Sequence, residues 1–153
     1  MTTQIAPAIA TGEATGESIL VHIGQGYHDL TAAFERYMGM SRARWSILSR
    51  LSREETLTQA ALAQLLHVDA AAITRQVKQL EGEGLITRWS SPEDNRYTVV
   101  ALTAQGREFV AVKRSVRDEF ERIVTTGLTA EEIDNTRLCL QHLRSNLGLL
   151  PIK

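Results

Sequence analysis

Residues 57–103, LTQAALAQLLHVDAAAITRQVKQLEGEGLITRWSSPEDNRYTVVALT, constrain the fold of this chain more than any other stretch. Their punctuation predicts two short helices joined by a tight turn, then a strand, a polar tip and a returning strand. Thr58 is placed as an N-cap, with Leu57 and Leu62 at the staple positions around it. That helix is expected to reach Leu66 and to bury Leu62, Leu65 and Leu66. His67 falls at the sharp turn, where a left-handed backbone is wanted and histidine is among the few enriched non-glycine residues. It is therefore expected as a turn residue and not as a ligand. Asp69 caps the second helix, Val68 and Ile73 form its staple, and Ile73, Val77 and Leu80 point inward. Gly82 and Gly84 end it. A strand at 85–89, a tip at 90–95 and a return at 96–102 complete the block, with Trp89 expected to pack at the hairpin base.

The outward face of the second helix carries Ala70, Ala71, Thr74, Arg75, Lys78 and Gln79. Small residues at its start allow close approach to base edges. Thr74 suits a base edge or methyl, Arg75 a two-point bond to guanine, and Lys78 a phosphate. An ordinary polar surface helix would look similar, and this helix alone does not separate the two readings. The hairpin does more. An arginine at a wing tip suits a narrow minor groove, where the potential is most negative. Asp94, two residues before Arg96, lies on the same side of the strand and can hold it. The candidate DNA contacts are thus Thr58, Gln59, Asp69, Ala70, Ala71, Thr74, Arg75, Lys78, Arg88, Asp94, Asn95 and Arg96. Residues 41–106 carry 8 Lys/Arg against 7 Asp/Glu, a net +1, within a chain of net charge −1. Affinity for DNA must come from where charges sit and not from bulk charge.

The flanks predict long helices. Residues 1–16 are rich in Ala, Thr and Gly and are expected as a disordered arm; without Lys or Arg they do not suit a minor groove. Leu20, Ile23, Tyr27, Leu30, Phe34 and Tyr37 recur every three or four residues, predicting an amphipathic helix over 18–38. Ser41 caps a helix to about residue 52 that buries Trp45, Leu48 and Leu51. Arg42, Arg44, Arg50 and Arg53 make it locally basic, as a solvated face or as a site for an anion. Thr103 caps a helix to about residue 126, apolar at Phe109, Val112, Val116, Phe120 and Ile123, and Gly127 stops it. Leu128, Thr129, Glu132 and Ile133 form a complete start signal for a last helix. Its stripe is Ile133, Thr136, Leu140, Leu143, Leu147 and Leu150, ended by Pro151. These flanking helices carry more apolar surface than one small domain needs, which predicts an intertwined homodimer.

At 153 residues, 43% hydrophobic and 23% charged, the chain has the composition of one soluble globular domain. No apolar run is long enough to span a bilayer, and 1–17 has no basic n-region, so a cytoplasmic protein is expected. The single cysteine, Cys139, excludes an internal disulfide and is expected as a small buried apolar residue. His22, His28, His67 and His142 form no i, i+4 pair, so no metal or cofactor is expected. No glycine-rich phosphate loop or paired nucleophile and base points to an enzyme.

The block resembles the MarR family of bacterial winged-helix regulators. The resemblance rests on Leu57-Thr58-Gln59, on Leu80-Glu81-Gly82-Glu83-Gly84-Leu85-Ile86, and on Asp94-Asn95-Arg96 followed by Val100-Ala101-Leu102-Thr103 and Gly106. It spans about residues 18–150. It implies a mainly α fold with a small β-hairpin wing (α+β): a winged helix-turn-helix lobe at 41–103, with dimerisation helices at 17–40 and 104–153. It further implies a DNA-binding regulator, more often a repressor, acting as a homodimer on double-stranded DNA at a pseudo-palindromic operator. Family members bind small aromatic acids between dimerisation helices and winged helix. Here His28, Tyr37, Arg44 and Trp45 are the candidates, since an arginine beside aromatics suits an aromatic carboxylate. Another family mode uses a reactive cysteine near the start of the first helix, where this chain has none. A winged-helix protein–protein module without DNA binding is the alternative.

Overall fold

The computed structural model describes residues 18–151; the arm expected at 1–16 lies outside them. Each helix among the described residues starts on a side-chain oxygen that accepts a backbone N–H, satisfying one of the donors a helix start leaves open. Ser18 opens α1 (Ile19–Met38) and Ser41 opens α2 (Arg42–Glu54). Thr58 opens α3 (Gln59–Leu66) and Asp69 opens α4 (Ala70–Gly82). Thr103 opens α5 (Ala104–Val124), and Thr129 opens α6 (Ala130–Leu147) with a complete capping box through Glu132. Three strands, β1 (Thr56–Thr58), β2 (Ile86–Ser90) and β3 (Thr98–Leu102), form an antiparallel sheet in the order β1-β3-β2.

The expected hairpin is β2 and β3, in the register Arg88 to Val100 and Trp89 to Val99. β1 was not expected. Leu57, assigned above to a staple, pairs with Val100 on the other edge of β3. Three residues are too few for a period-two pattern to show in sequence. The turn between α3 and α4 is as expected: His67 takes the left-handed conformation (φ 52°, ψ 47°), and its N–H and that of Val68 return to carbonyls of α3.

The core gathers where α2, α4 and the sheet meet. Leu48, Leu51, Leu62, Ile73, Val77, Leu80 and Val100 are fully enclosed or nearly so, with Trp45 at the margin. α1 contributes Met38 and the loop after it Met40, neither expected from the stripes. Several expected burials fail. Leu65 is exposed and Leu66 only half-buried, because α3 is short and turns one face to the core. On α5, whose apolar positions were not assigned to the core from sequence, Gly106, Val110 and Phe120 turn inward, while Val112 and Ile123 are exposed. Trp89 is exposed along β2, beside the start of α3, instead of closing the hairpin base.

Among the described residues, most of α1 and all of α6 lie outside the core. Leu20, Tyr27, Leu30 and Tyr37 of the α1 stripe are exposed, and only its C-terminal end docks. There Phe34 meets Phe120 edge-on at 5.5 Å, Tyr37 lies 5.6 Å from the same ring, and Lys113 Nζ donates to the Met38 carbonyl. α6 has no buried residue and no substantial packing against another element. Cys139, expected to be buried, is exposed for that reason.

The start of α5 is fastened to the end of α4. The Thr103 hydroxyl donates to the Gly84 carbonyl at 2.6 Å and accepts from the Gly106 N–H at 2.9 Å. The Thr103 N–H donates to the Leu85 carbonyl at 3.1 Å. A Cβ on Gly106 would fall 1.9 Å from that same carbonyl oxygen, so the close approach requires glycine.

Candidate nucleic-acid interface

α4 is held on one side by Ile73, Val77 and Leu80, which are buried. A 3.6-residue period then turns Ala70, Ala71, Arg75, Lys78 and Gln79 to the outside, and all five are exposed. Two alanines at the first turn leave only methyl groups there, so another surface can approach the backbone closely. Arg75 and Lys78, three residues apart, present their cations one turn further along the same face.

The other candidates on α3 and α4 have internal work. Thr58 and Asp69 use their side-chain oxygens as caps, toward Ala61 and Ala72. The Thr74 hydroxyl donates to Gln59 Oε1 at 3.1 Å and to the Ala70 carbonyl at 3.0 Å. Gln59 and Thr74 therefore join the two helices of the helix-turn-helix and fix their angle. Arg88 on β2 is ion-paired to Glu81 at 2.7 Å, which ties the hairpin to α4 and offsets the arginine's charge.

At the wing tip the expected pair is present. Arg96 Nη2 donates to Asp94 Oδ2 at 2.7 Å and Nε to Oδ1 at 3.0 Å, and the Arg96 backbone N–H donates to Oδ1 at 3.0 Å. The Arg96 side chain is nevertheless 85% exposed. It is a cation fixed in direction and open to solvent. Asn95, beside it, is also exposed. The side-chain hydrogen bond from Arg96, and after it the backbone one, hold the Asp94 carboxyl below its ordinary range. A depressed carboxylate keeps its tie above the ordinary range and loses it as pH falls through the depressed value. The Arg96 side-chain N–H resonance is thus expected to shift in acid with a midpoint below that of a free aspartate. A midpoint at or above the free value would show the tie absent in solution.

The four candidates for an effector do not come together. Trp45 is a core residue and lines a cleft with Arg53, Arg114 and Arg117. Arg44 is ion-paired to Glu83 at the end of α4. Tyr37 packs on Phe120, and His28 is exposed on α1. Arg42, in contrast, lies over an aromatic ring. Its guanidinium carbon is 5.4 Å from the Tyr27 ring centroid, and both line a cavity of about 220 Å³ with Leu30, Phe34 and Phe120. Among the described residues no three His, Cys, Asp or Glu side chains gather as a metal site, and no helix is long and apolar enough to cross a membrane.

A helix-turn-helix braced by a three-stranded sheet, with a cation at the tip of its hairpin, defines the winged-helix class. A family model described as MarR family matches residues 40–98. An uncharacterized HTH-type transcriptional regulator, YdgJ of Bacillus subtilis (strain 168), is 35% identical over 115 residues, 75% of this chain and 70% of that protein. The crystal structure of a probable transcriptional regulator from Pseudomonas aeruginosa superposes with a TM-score of 0.78 at 28% identity, covering 83% of this chain and 97% of that one. A mutant MarR from Escherichia coli complexed with operator DNA shares the fold, with a TM-score of 0.72 at 22% identity over 82% of this chain and 95% of that one. The chain belongs to the MarR family and is a winged-helix transcriptional regulator.

Proposed function

We propose that this protein is a cytoplasmic homodimeric repressor that binds a pseudo-palindromic operator in double-stranded DNA and releases it on binding a small aromatic acid. The observation that carries the DNA docking is the pairing of two exposed cationic elements on one rigid lobe. These are the α4 face with Arg75 and Lys78, and the wing tip where Asp94 aims Arg96. In this reading α4 enters a major groove, with Arg75 on a base edge, Lys78 on phosphate and the two alanines against the groove floor. Arg96 contacts the flanking minor groove or its phosphates. Residues 41–103 are the reading lobe, and 17–40 with 104–153 join two copies. The unpacked leucines of α6 and the exposed stripe of α1 support that assignment. For the effector, the Arg42–Tyr27 cavity replaces the dispersed set, with the guanidinium as counter-ion to a carboxylate.

A salt-titrated gel shift on genomic fragments tests the docking. Arg96→Ala is expected to weaken binding to every sequence and to lower the salt slope by about one per subunit. Arg75→Ala is expected to cost roughly 1–3 kcal/mol per half-site and to relax base preference. Unchanged binding in both variants overturns the docking, and no retained fragment even at low salt points to a protein–protein module instead.

A further inference from the structure

We propose that a second cavity, between the C-terminal end of α2, β1, β3 and α5, binds an elongated dicarboxylate. This cavity, about 650 Å³, lies apart from the Arg42–Tyr27 cavity and from the α4 face, and shares no lining residue with either. Its wall on α5 is the stripe Arg107, Val110, Ala111 and Arg114, one face of the helix over two turns. Charge stands at each end and apolar surface between. The two α-carbons are about 10.5 Å apart along the helix axis. A ligand that complements this wall carries an anion at each end of an apolar spacer.

The arginines are prepared for such a ligand. Arg107 Nη1 donates to the Leu102 carbonyl at 2.9 Å, and Arg114 Nη2 to the Ser52 hydroxyl at 3.1 Å. Both partners are neutral, so each guanidinium is oriented without a directly bonded carboxylate, and its remaining donors can serve a ligand. Among the described residues neither takes part in an ion pair. The other two arginines of α5 differ. Arg117 is paired to Asp118 and Glu121, and Arg122 to Glu119. Of the four arginines of α5, the two without an ion pair are those that line the cavity.

Glu55 also lines it, placing one carboxylate on the cavity wall without an ion pair to either arginine. It ends α2 at φ 58°, ψ −58°, a left-handed backbone angle that a non-glycine residue adopts only at a cost. Its charge opposes a dianion, so its removal is expected to strengthen binding.

Calorimetry on the full chain without DNA decides the matter, using succinate, adipate, suberate and sebacate, with octanoate as the single-ended control. One of the longer dicarboxylates is expected to bind at least about tenfold tighter than octanoate. Arg107→Ala and Arg114→Ala are each expected to weaken it by about tenfold, Glu55→Gln to tighten it, and Arg42→Ala to leave it unchanged. Absence of dicarboxylate binding, equal affinity for octanoate, or a loss that follows Arg42 and not Arg107 or Arg114 overturns the proposal. The comparison of suberate with octanoate is made on the unaltered chain, so it stands even where an arginine variant fails to fold. Because no DNA is present, the outcome is independent of the operator reading.

Discussion

Gly106→Ala is expected to destabilise the folded chain by roughly 3 kcal/mol, and Gly106→Val to prevent folding. The added carbon would sit 1.9 Å from the Leu85 carbonyl oxygen, a backbone atom that no rotamer change removes, and 3.3 Å from Leu102 Cδ2. Relief requires the first turn of α5 to lift away. That would stretch the bonds from Thr103 to Gly84 and Leu85. Gly82→Ala is the matched control, because a Cβ there meets nothing within 4 Å. It is expected to be neutral or slightly stabilising, since alanine is the better helix former by about 1 kcal/mol. Urea unfolding of the two variants side by side checks the difference. Equal midpoints would mean that α5 does not approach Leu85 this closely in solution.

The double variant Leu140→Glu with Leu147→Glu is expected to yield a folded monomer whose affinity for a two-half-site operator falls by at least about a hundredfold. Both leucines are exposed on α6, seven residues apart and so on one face, and neither belongs to the core of the lobe. Their replacement removes nothing that holds α2, α4 and the sheet together. It does remove the apolar face that would join two copies, and with it the high effective concentration of the second reading head. Sedimentation gives the mass, and a shift assay with one and two half-sites gives the coupling. A variant that remains dimeric and binds as before would move the dimer interface elsewhere.

Elements with local chemistry were legible in the sequence. Ser41, Thr58, Asp69, Thr103 and Thr129 were each placed as caps because a polar residue precedes an apolar period, and each accepts the expected backbone bond. His67 was legible because few side chains tolerate its backbone angle. What failed was long-range. Arg44 was paired in expectation with aromatics, but its partner is Glu83, 39 residues on, and Arg42 beside it meets Tyr27 instead. Arginines two residues apart on one helix point in different directions, and sequence does not say which finds a carboxylate. Arg88 was a candidate contact, and the carboxylate that engages it, Glu81, stands seven residues earlier on a different element. The inward face of α5 was not legible for a related reason. Its apolar residues occupy more than one face, and periodicity alone does not tell the chain's own core from a surface left for another.

The joint among Thr103, Gly84, Leu85 and Gly106 also has a mechanical meaning. It links the end of α4 to the start of α5 through backbone carbonyls and one short hydroxyl, with no long side chain to flex. A tilt of α5 therefore reaches α4 with little slack, as torque passes through a welded crank. In a pair of such chains, the separation of the two reading heads would be set by the angle between their α5 helices. Anything wedged against α5, at any point along its length, would change the pitch at which the two heads meet the duplex.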